Sequence, residues 1–474
     1  MRSTFGGLEV GLRGLRAHQL ALEITGHNIA NADTPGYSRQ VANLTATRPY
    51  TIPAFNRPAT AGQIGTGVEV AEILRMRDEF IDVQIRKEST NQGRWKMRQS
   101  NLEQLEVILN EPSDEGIAAN LNKFWKNLQE LSLRPEDMAI RSVIQQTGIV
   151  FTDMLRHTYS QLQTLQRDLD AQVQIIGGRI NSLARQIAAL NEEIGKVTAV
   201  GDNPNDLMDK RELLVQELAS LTNITIQTDN LNRYTISISG SLLVSGNLSS
   251  ALDFVRNPER EGLVDVVWAD TGHRVDLRGG ELKGLLEMRD EEVAFYMDAL
   301  NEFASTLIEE FNQVHAAGYG LNGSHNLAFF SGTGAYDIGI TEEILNDLNN
   351  IAASIDVGGG MGAPGNGDNA IRLARVISND FLMNGGTTTL TDYYESLIVR
   401  LGITAEEAKT MLENKNALIH HLENRQEAVA GVSLDEEMVN LIKFQNSYSA
   451  ASRMITAVDE MLQILIANTG IVGR

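Results

Sequence analysis

The segment GMGAPG at 360–365 has the spacing Gly-x-Gly-x-x-Gly, in which glycines let backbone N–H groups close on a phosphate. An apolar helical stretch, AIRLARVI, follows it, and Asp380 stands twenty residues beyond Gly360, where a ribose-binding carboxylate would be placed. The surroundings argue against dinucleotide chemistry. IAASIDV ahead of the motif is a poor strand, and no series of parallel strands is patterned around it. Six glycines in the stretch GGGMGAPGNGDN read as a flexible loop. Of eight histidines only His420 and His421 are close in sequence, and adjacent helix positions point in different directions, which suits no metal. Cysteine is absent, which removes disulfides, thiolate ligands and Cys nucleophiles. There is no Gly-x-Ser-x-Gly elbow and no Walker A loop. We expect no catalytic, cofactor-binding or metal-binding residues and no enzyme; a nucleotide-binding cytoplasmic enzyme using GMGAPG is the alternative.

Composition points elsewhere. The 474 residues leave room for two to four domains, and 42% hydrophobic with 22% charged residues is the balance of a folded chain. A net charge of −22 repels phosphate, so neither nucleic acid nor an anionic membrane is an expected partner. No apolar run reaches the eighteen or so residues of a membrane helix, and the first twenty residues lack the apolar core of a signal peptide. Charge is unevenly placed. Residues 1–60 carry six arginines against Glu9, Glu23 and Asp33, a net +3; residues 431–474 carry −2, and the middle the remaining −23.

Both ends are striped. Phe5, Leu8, Leu12, Leu15, Gln19, Leu22, Gly26 and Ile29 recur at alternating spacings of three and four. So do Leu441, Phe444, Tyr448, Ala451, Ile455, Val458, Leu462 and Leu465. Each stripe spans roughly 36 Å of helix, and matched length with opposite charge predicts that the two helices pair. Ser433 and Glu436 form a capping box ahead of the second, while Pro35 stops the first within NADTPGY. Glycines 6, 7, 11, 14 and 26 weaken the first helix by roughly 0.5–1 kcal/mol each.

Between the stripes, 68–110 reads as one or two helices interrupted near 89–93, and 113–153 as shorter helices. A long apolar stripe from Leu162 to Val197 predicts one long helix, broken at worst at 177–178. A helix over 206–221 follows, then alternating residues such as Tyr234, Ile236, Ile238 and Val264, Val266, Trp268 signal strands within 223–280. Helix returns at 282–314 and after 370. The expected fold is mainly α, elongated and multidomain. It has paired, coiled-coil-like terminal helices (1–60 with 431–474), a long-helix bundle body (61–222 with 281–430) and an inserted small antiparallel β domain (223–280).

The stretch GHNIANADTPGYSRQ (26–40), with GLRGLRAHQLALEI before it, resembles the terminal signature of the bacterial flagellar axial proteins, which comprise rod, hook and hook-associated proteins. GVSLDEEMVNLIKFQNSYSAASRMITAVDEMLQILI (431–466) resembles the hook–filament junction members of that family. RMRDEFIDVQIR (75–86), FWKNLQELSLRPED (124–137), RINSLARQIAALNEEI (179–194), NDLMDKRELLVQEL (205–218) and GGELKGLLEMRDEE (279–292) agree with it. His27 and Asp33 stand where the family more often has Asn, and both keep the turn polar.

The resemblance implies a non-enzymatic structural protein, cytoplasmic until the flagellar type III export apparatus passes it out uncleaved. Outside the cell it would polymerise at the distal end of the hook and join hook to filament. Implied partners are the hook protein, the second hook-associated junction protein, further copies of the chain, and before export a small cytosolic chaperone on the C-terminal helix. Another axial component, such as the second junction protein or the hook protein, is the alternative within the family. Leu8, Leu12, Leu15 and Leu22 would meet Tyr448, Ile455, Leu462 and Leu465 in the assembly layer. Arg13, Arg16, Asp459 and Glu460 would flank it, and Asn28, Asn31, Pro35, Gly36 and Tyr37 would form the turn out of it.

Overall fold

The computed structural model describes residues 5–50, 63–356, 362–378, 380, 382, 383 and 385–468. In chain order the elements are α1 (Gly6–Ala30), β1 (Gln40–Ala46), β2 (Val68–Arg75), α2 (Glu79–Leu109), α3 (Ile117–Leu133), α4 (Met138–Ala199) and α5 (Asn205–Leu221). Strands β3 (Thr225–Thr228), β4 (Tyr234–Ile238), β5 (Ser241–Ser245), β6 (Leu248–Ser249), β7 (Leu252–Arg256) and β8 (Val264–Trp268) follow. After them come α6 (Glu281–Glu287), α7 (Val293–Ala317), β9 (Phe330–Ser331), β10 (Gly339–Ile340), α8 (Glu342–Asn346), α9 (Asp368–Ser378), α10 (Leu390–Ala430) and α11 (Leu434–Asn468). The fold is mainly α with small antiparallel sheets, as expected.

The chain forms two compact units, one of 1–89, 180–251 and 416–474, the other of 90–179 and 252–415. The single β domain expected over 223–280 is divided between them. Strands β3 to β6 form a four-stranded antiparallel sheet in the first unit, and β7 pairs with β8 in the second. The reason lies in what each sheet is tied to. Asn191 of α4 donates to the carbonyls of Tyr234 and Gly246 and accepts from the Tyr234 N–H, holding β4. Asp170, six turns earlier on α4, accepts from Val264 N–H at 2.9 Å, and the Phe254 ring packs over Gly177. Alternation reveals strands; it does not reveal which stretch of helix claims them.

Two helix expectations change as well. Residues 68–75 are a strand, not helix, paired with β1 from Gln40↔Arg75 to Ala46↔Val68. α2 then runs without a break through 89–93, where Ser89 is buried and packing overrides weak propensity. α4 is one helix of 62 residues, taking in the shorter helix expected before Leu162 and passing unbroken through 177–178.

The second unit is centred on phenylalanines. Phe124 lies 5.7–6.5 Å, ring to ring, from Phe151, Phe311, Phe329 and Phe330. Arg289, fully buried in a π-helical turn, donates to Asp170 at 2.6 Å and to Asp290 at 2.7 Å. His315 of α7 is also sealed in. A carbonyl can only accept and an amide only donate, so its Nδ1–H donates to Leu327 O (2.7 Å) and its Nε2 accepts from Ala352 N–H (3.0 Å).

Burial pushes the His315 imidazole down from 6.5 to about 4. The unfolded chain gains this proton as pH falls through about 6.5, the folded chain only near 4, so the stabilising contribution is full above 6.5. It is withdrawn as pH falls from 6.5 to 4, by about 3 kcal/mol in all. His315→Gln keeps one donor and one acceptor without a proton to gain. Its urea-unfolding free energy should therefore fall less than the parent's between pH 7 and pH 5; parallel declines would exclude His315 as the cause.

Candidate functional site

The expected pairing of the terminal helices is present: α1 packs on α11, and the face it uses is made of small residues. A Cβ on Gly7 would lie 3.2 Å from Val458, one on Gly14 3.7 Å from Ala451, and one on Gly11 only 2.8 Å from Ile455. His18 stacks on Phe444 at 6.4 Å, and burial lowers its pKa. The seam on α1 therefore runs through Gly7, Gly11, Gly14 and His18 to Asn28, with Ala21 and Thr25 buried between them, one residue N-terminal to the expected stripe from Leu8 onward. Leu8, Leu15 and Leu22 are half-buried beside this seam and Leu12 is 38% exposed, so the leucines flank the pair instead of filling it. On α11 the expected stripe holds. Tyr448, Ile455 and Leu462 are half-buried, while Leu465 near the helix end is exposed.

Within one chain the charged flanks lie as follows. Arg13 pairs with Glu9 of its own helix at 2.5 Å and reaches Thr66 Oγ1 at 3.4 Å. With Arg16 and Arg48 it lines an open groove of about 670 Å³ between α1 and the β1–β2 hairpin. Asp459 and Glu460 lie exposed on α11.

At its far end the helix pair is anchored by buried polar chemistry. α1 stops where expected: the Asn31 side chain donates to His27 O at 2.9 Å and accepts from Thr34 Oγ1 at 3.2 Å. Pro35 and Gly36 (φ +78°) then turn the chain, with Leu213 3.5 Å from where a Gly36 Cβ would sit. Asn28, 1% exposed, uses its whole amide. Its Nδ2 donates to Gln40 O (2.8 Å) and to Glu437 Oε2 (3.1 Å); its Oδ1 accepts from Gln40 N–H (3.0 Å) and from the Tyr37 hydroxyl (2.7 Å). Burial raises the pKa of the Tyr37 phenol, and Asp206, Asp209 and Glu437 raise it further, so it stays a donor.

Residues around Asn28 extend the anchor. Arg39 donates to Glu437 and to Glu436, each at 2.8 Å, and its N–H bonds Ala430 O, which pins the break between α10 and α11. Ser433 Oγ takes the Glu436 N–H as the capping box requires, but the Glu436 carboxylate goes to Arg39. Asp209 of α5 accepts from Ser38 N–H and Oγ and from Arg75, all within 2.9 Å. Asp206 accepts from Gln40 Nε2 at 2.7 Å. Arg77 forks onto Asp82, which also accepts from Gln426 at 2.6 Å. Burial opposes the Arg77 charge, yet Asp82, Glu212 and Asp209 outweigh it and raise its pKa.

Three models of flagellar families match the chain where this geometry sits. The flagella basal body rod protein model matches 8–37, the C-terminal model of the flagellar basal body rod FlgEFG proteins matches 426–468, and the flagellar hook-associated protein FlgK helical domain matches 102–330. Flagellar hook-associated protein 1 of Bacillus subtilis is 33% identical over the full length of both chains. This chain belongs to the flagellar hook-associated protein 1 family. The Escherichia coli protein of that name is 25% identical over 96% of this chain and 98% of its own. In fold, the flagellar hook junction protein FlgK from Burkholderia pseudomallei superposes with a TM-score of 0.63, at 17% identity, over 73% of this chain and all of that one.

The family is one of flagellar structural proteins. Among the described residues no group of three His, Asp or Glu is placed to hold a metal, and no helix is long and apolar enough to cross a membrane. Strand pairings there are all antiparallel. Within GMGAPG, Gly360 and Met361 lie outside the described residues.

The sequence points to Asn28, Asn31, Pro35, Gly36 and Tyr37 as the turn out of the terminal helix and does not single out Arg39, Arg77, Asp82, Asp206, Asp209 or Glu437, which complete the anchor in this hook-associated protein 1 family member. The available signal was that these sit inside the segments that resemble the family. Asn28→Ala strands the Gln40 backbone groups, the Tyr37 hydroxyl and Glu437, and should cost about 2–4 kcal/mol in urea unfolding. Tyr37→Phe removes one bond and should cost about 1 kcal/mol. Equal costs would mean that Asn28 is not the hub.

Proposed function

We propose that the chain polymerises at the distal end of the hook and joins hook to filament, with α1 and α11 as its assembly domain. The observation that carries this is the second face of α11. One face is used on the α1 glycines; on the other, Ala450, Met454, Ala457, Met461 and Ile464 form an exposed apolar stripe at helical spacing. A continuous stripe of that kind is what a partner helix covers. On α1, Leu12 is exposed and Leu8, Leu15 and Leu22 are half-buried beside the seam, where a further helix would complete their cover, and Arg13, Arg16, Asp459 and Glu460 set charge pairing between protomers.

The reading extends to the partners. The hook protein lies on one side of the layer, the second hook-associated junction protein on the other, and copies of the chain around it. Before export through the flagellar type III apparatus, the α11 stripe needs cover in the cytoplasm, which is the role of a small chaperone. A chain without cysteine has no disulfide to hinder passage unfolded.

Met461→Glu with Ile464→Glu places two charges on the exposed stripe and none on the α1 seam. The purified double variant should keep its far-UV circular dichroism and melting temperature. Cells expressing it should bear hooks without filaments and shed filament protein into the medium, as seen by electron microscopy. Normal filaments on those cells would remove the stripe from the assembly surface.

A further inference from the structure

Three arginines are fully buried among the described residues, and they differ in what balances their charge. Arg289 has Asp170 and Asp290. Arg211 lies 3.4 Å over the ring of Tyr234, whose hydroxyl donates to Glu212. Arg141, in the first turn of α4, has only backbone carbonyls: Nε donates to Pro135 O at 2.9 Å, and Nη1 to Leu348 O at 3.1 Å and Ile351 O at 2.8 Å. Its Nη2 donates to no described residue. A buried guanidinium with no carboxylate in contact is costly to keep charged, and burial pushes Arg141 down to about 10, with Asp347 acting on it only from outside contact.

Arg141 also lines a pocket of about 250 Å³. Tyr319, Asn322, Ser354, Ala363 and Asn366 share its wall, and among the described residues no Asp or Glu does. In a chain of net charge −22 that is unusual. The pocket beside Arg75, Arg77 and Arg86 makes the contrast, since Asp82 and Glu212 in its wall pair with Arg77 and Arg86, while Asp209 pairs with Arg75. No carboxylate contacts Arg141, and the wall's side-chain donors are engaged elsewhere, Asn322 with Asp347 and Asn350, Asn366 with Asp368 and Ser354 with Ile355 O, which leaves Arg141 Nη2 as the pocket's cationic donor.

We propose that this pocket binds a small oxyanion, of the phosphate or carboxylate class, held by the N–H groups of Arg141 Nη2. Nη2 keeps two N–H groups, each able to donate to an oxygen of such an anion. The volume is below that of pockets for drug-sized ligands, which restricts the occupant to a small anion. Gly362, Ala363 and Pro364, from the described part of the glycine-spaced segment, line one wall. These three residues share a pocket with an arginine, where the spacing of the motif alone suggested a phosphate above a parallel sheet.

The test is calorimetric titration of the full chain, in chloride buffer, with inorganic phosphate and separately with acetate. Saturable one-to-one binding of either anion is expected, phosphate alone indicating a tetrahedral ligand and acetate alone a carboxylate one. Hydrogen exchange should slow at 319–323 and 353–356 when that anion is present. Arg141→Met should weaken binding at least tenfold, but it strands three carbonyls and can unfold the unit. Ala363→Phe fills the pocket and leaves Arg141 in place, and it should weaken binding as much in a chain with unchanged circular dichroism. Absence of saturable binding by both anions to the parent, or equal binding by Ala363→Phe, would overturn the proposal.

Discussion

The buried amide of Asn28 fixes how the two ends of the chain meet. Its donor reaches Glu437, 409 positions away, while its oxygen and second donor bond hold the backbone of Gln40. The seam of α1 above it is glycine and alanine, and small residues give close approach without much resistance to sliding. A register shift of one residue along that seam would cost few contacts. It would strand every partner of Asn28, each buried, and that is the expensive part. Apolar packing thus brings α1 and α11 together, and the polar anchor selects one alignment.

Charge at the anchor follows the same logic. Arg39, Arg75 and Arg77 are partly buried, and each is met by a carboxylate of a different helix: Glu437 on α11, Asp209 on α5, Asp82 on α2. Buried pairs of this kind add little net stability over an apolar substitute, but removal of one member leaves a charge without its partner. They act as a lock on which helix ends may come together. Four segments that resemble the flagellar axial family, 26–40, 75–86, 205–218 and 431–466, are far apart in sequence and converge here.

Much of this was legible beforehand, and the failures share a cause. The α11 stripe, the stop at Asn31, α5 and the long α4 follow from periodicity and turn chemistry, which are local. The α1 seam was misplaced by one residue because large apolar side chains were taken to mark the buried face. In a helix pair this close, the buried face belongs to residues with little or no side chain, and leucines are displaced to the flanks. The strand at 68–75 and the division of 223–280 failed for a related reason. VEVAEILR takes its state from pairing with β1, and the two sheets take theirs from Asn191 and Asp170, none of which local pattern contains.

The glycine seam also bears on when the helix pair can exist. Gly7, Gly11 and Gly14 together disfavour isolated helix by about 1.5–3 kcal/mol relative to alanine, and an isolated helix already carries a nucleation cost. Those same glycines let Ile455 and Val458 approach the α1 backbone, so the residues that weaken α1 alone are the ones that let it dock. Alanine at Gly11 would improve propensity and push Ile455 away. The sequence therefore trades stability of the separate helices for stability of the pair, and it leaves the other face of α11 apolar and exposed. On the proposed assembly, covering that face in the finished structure supplies what the helices lack in isolation. On that proposal, ends whose order depends on what they pack against would let the same chain be loose before assembly and rigid within it.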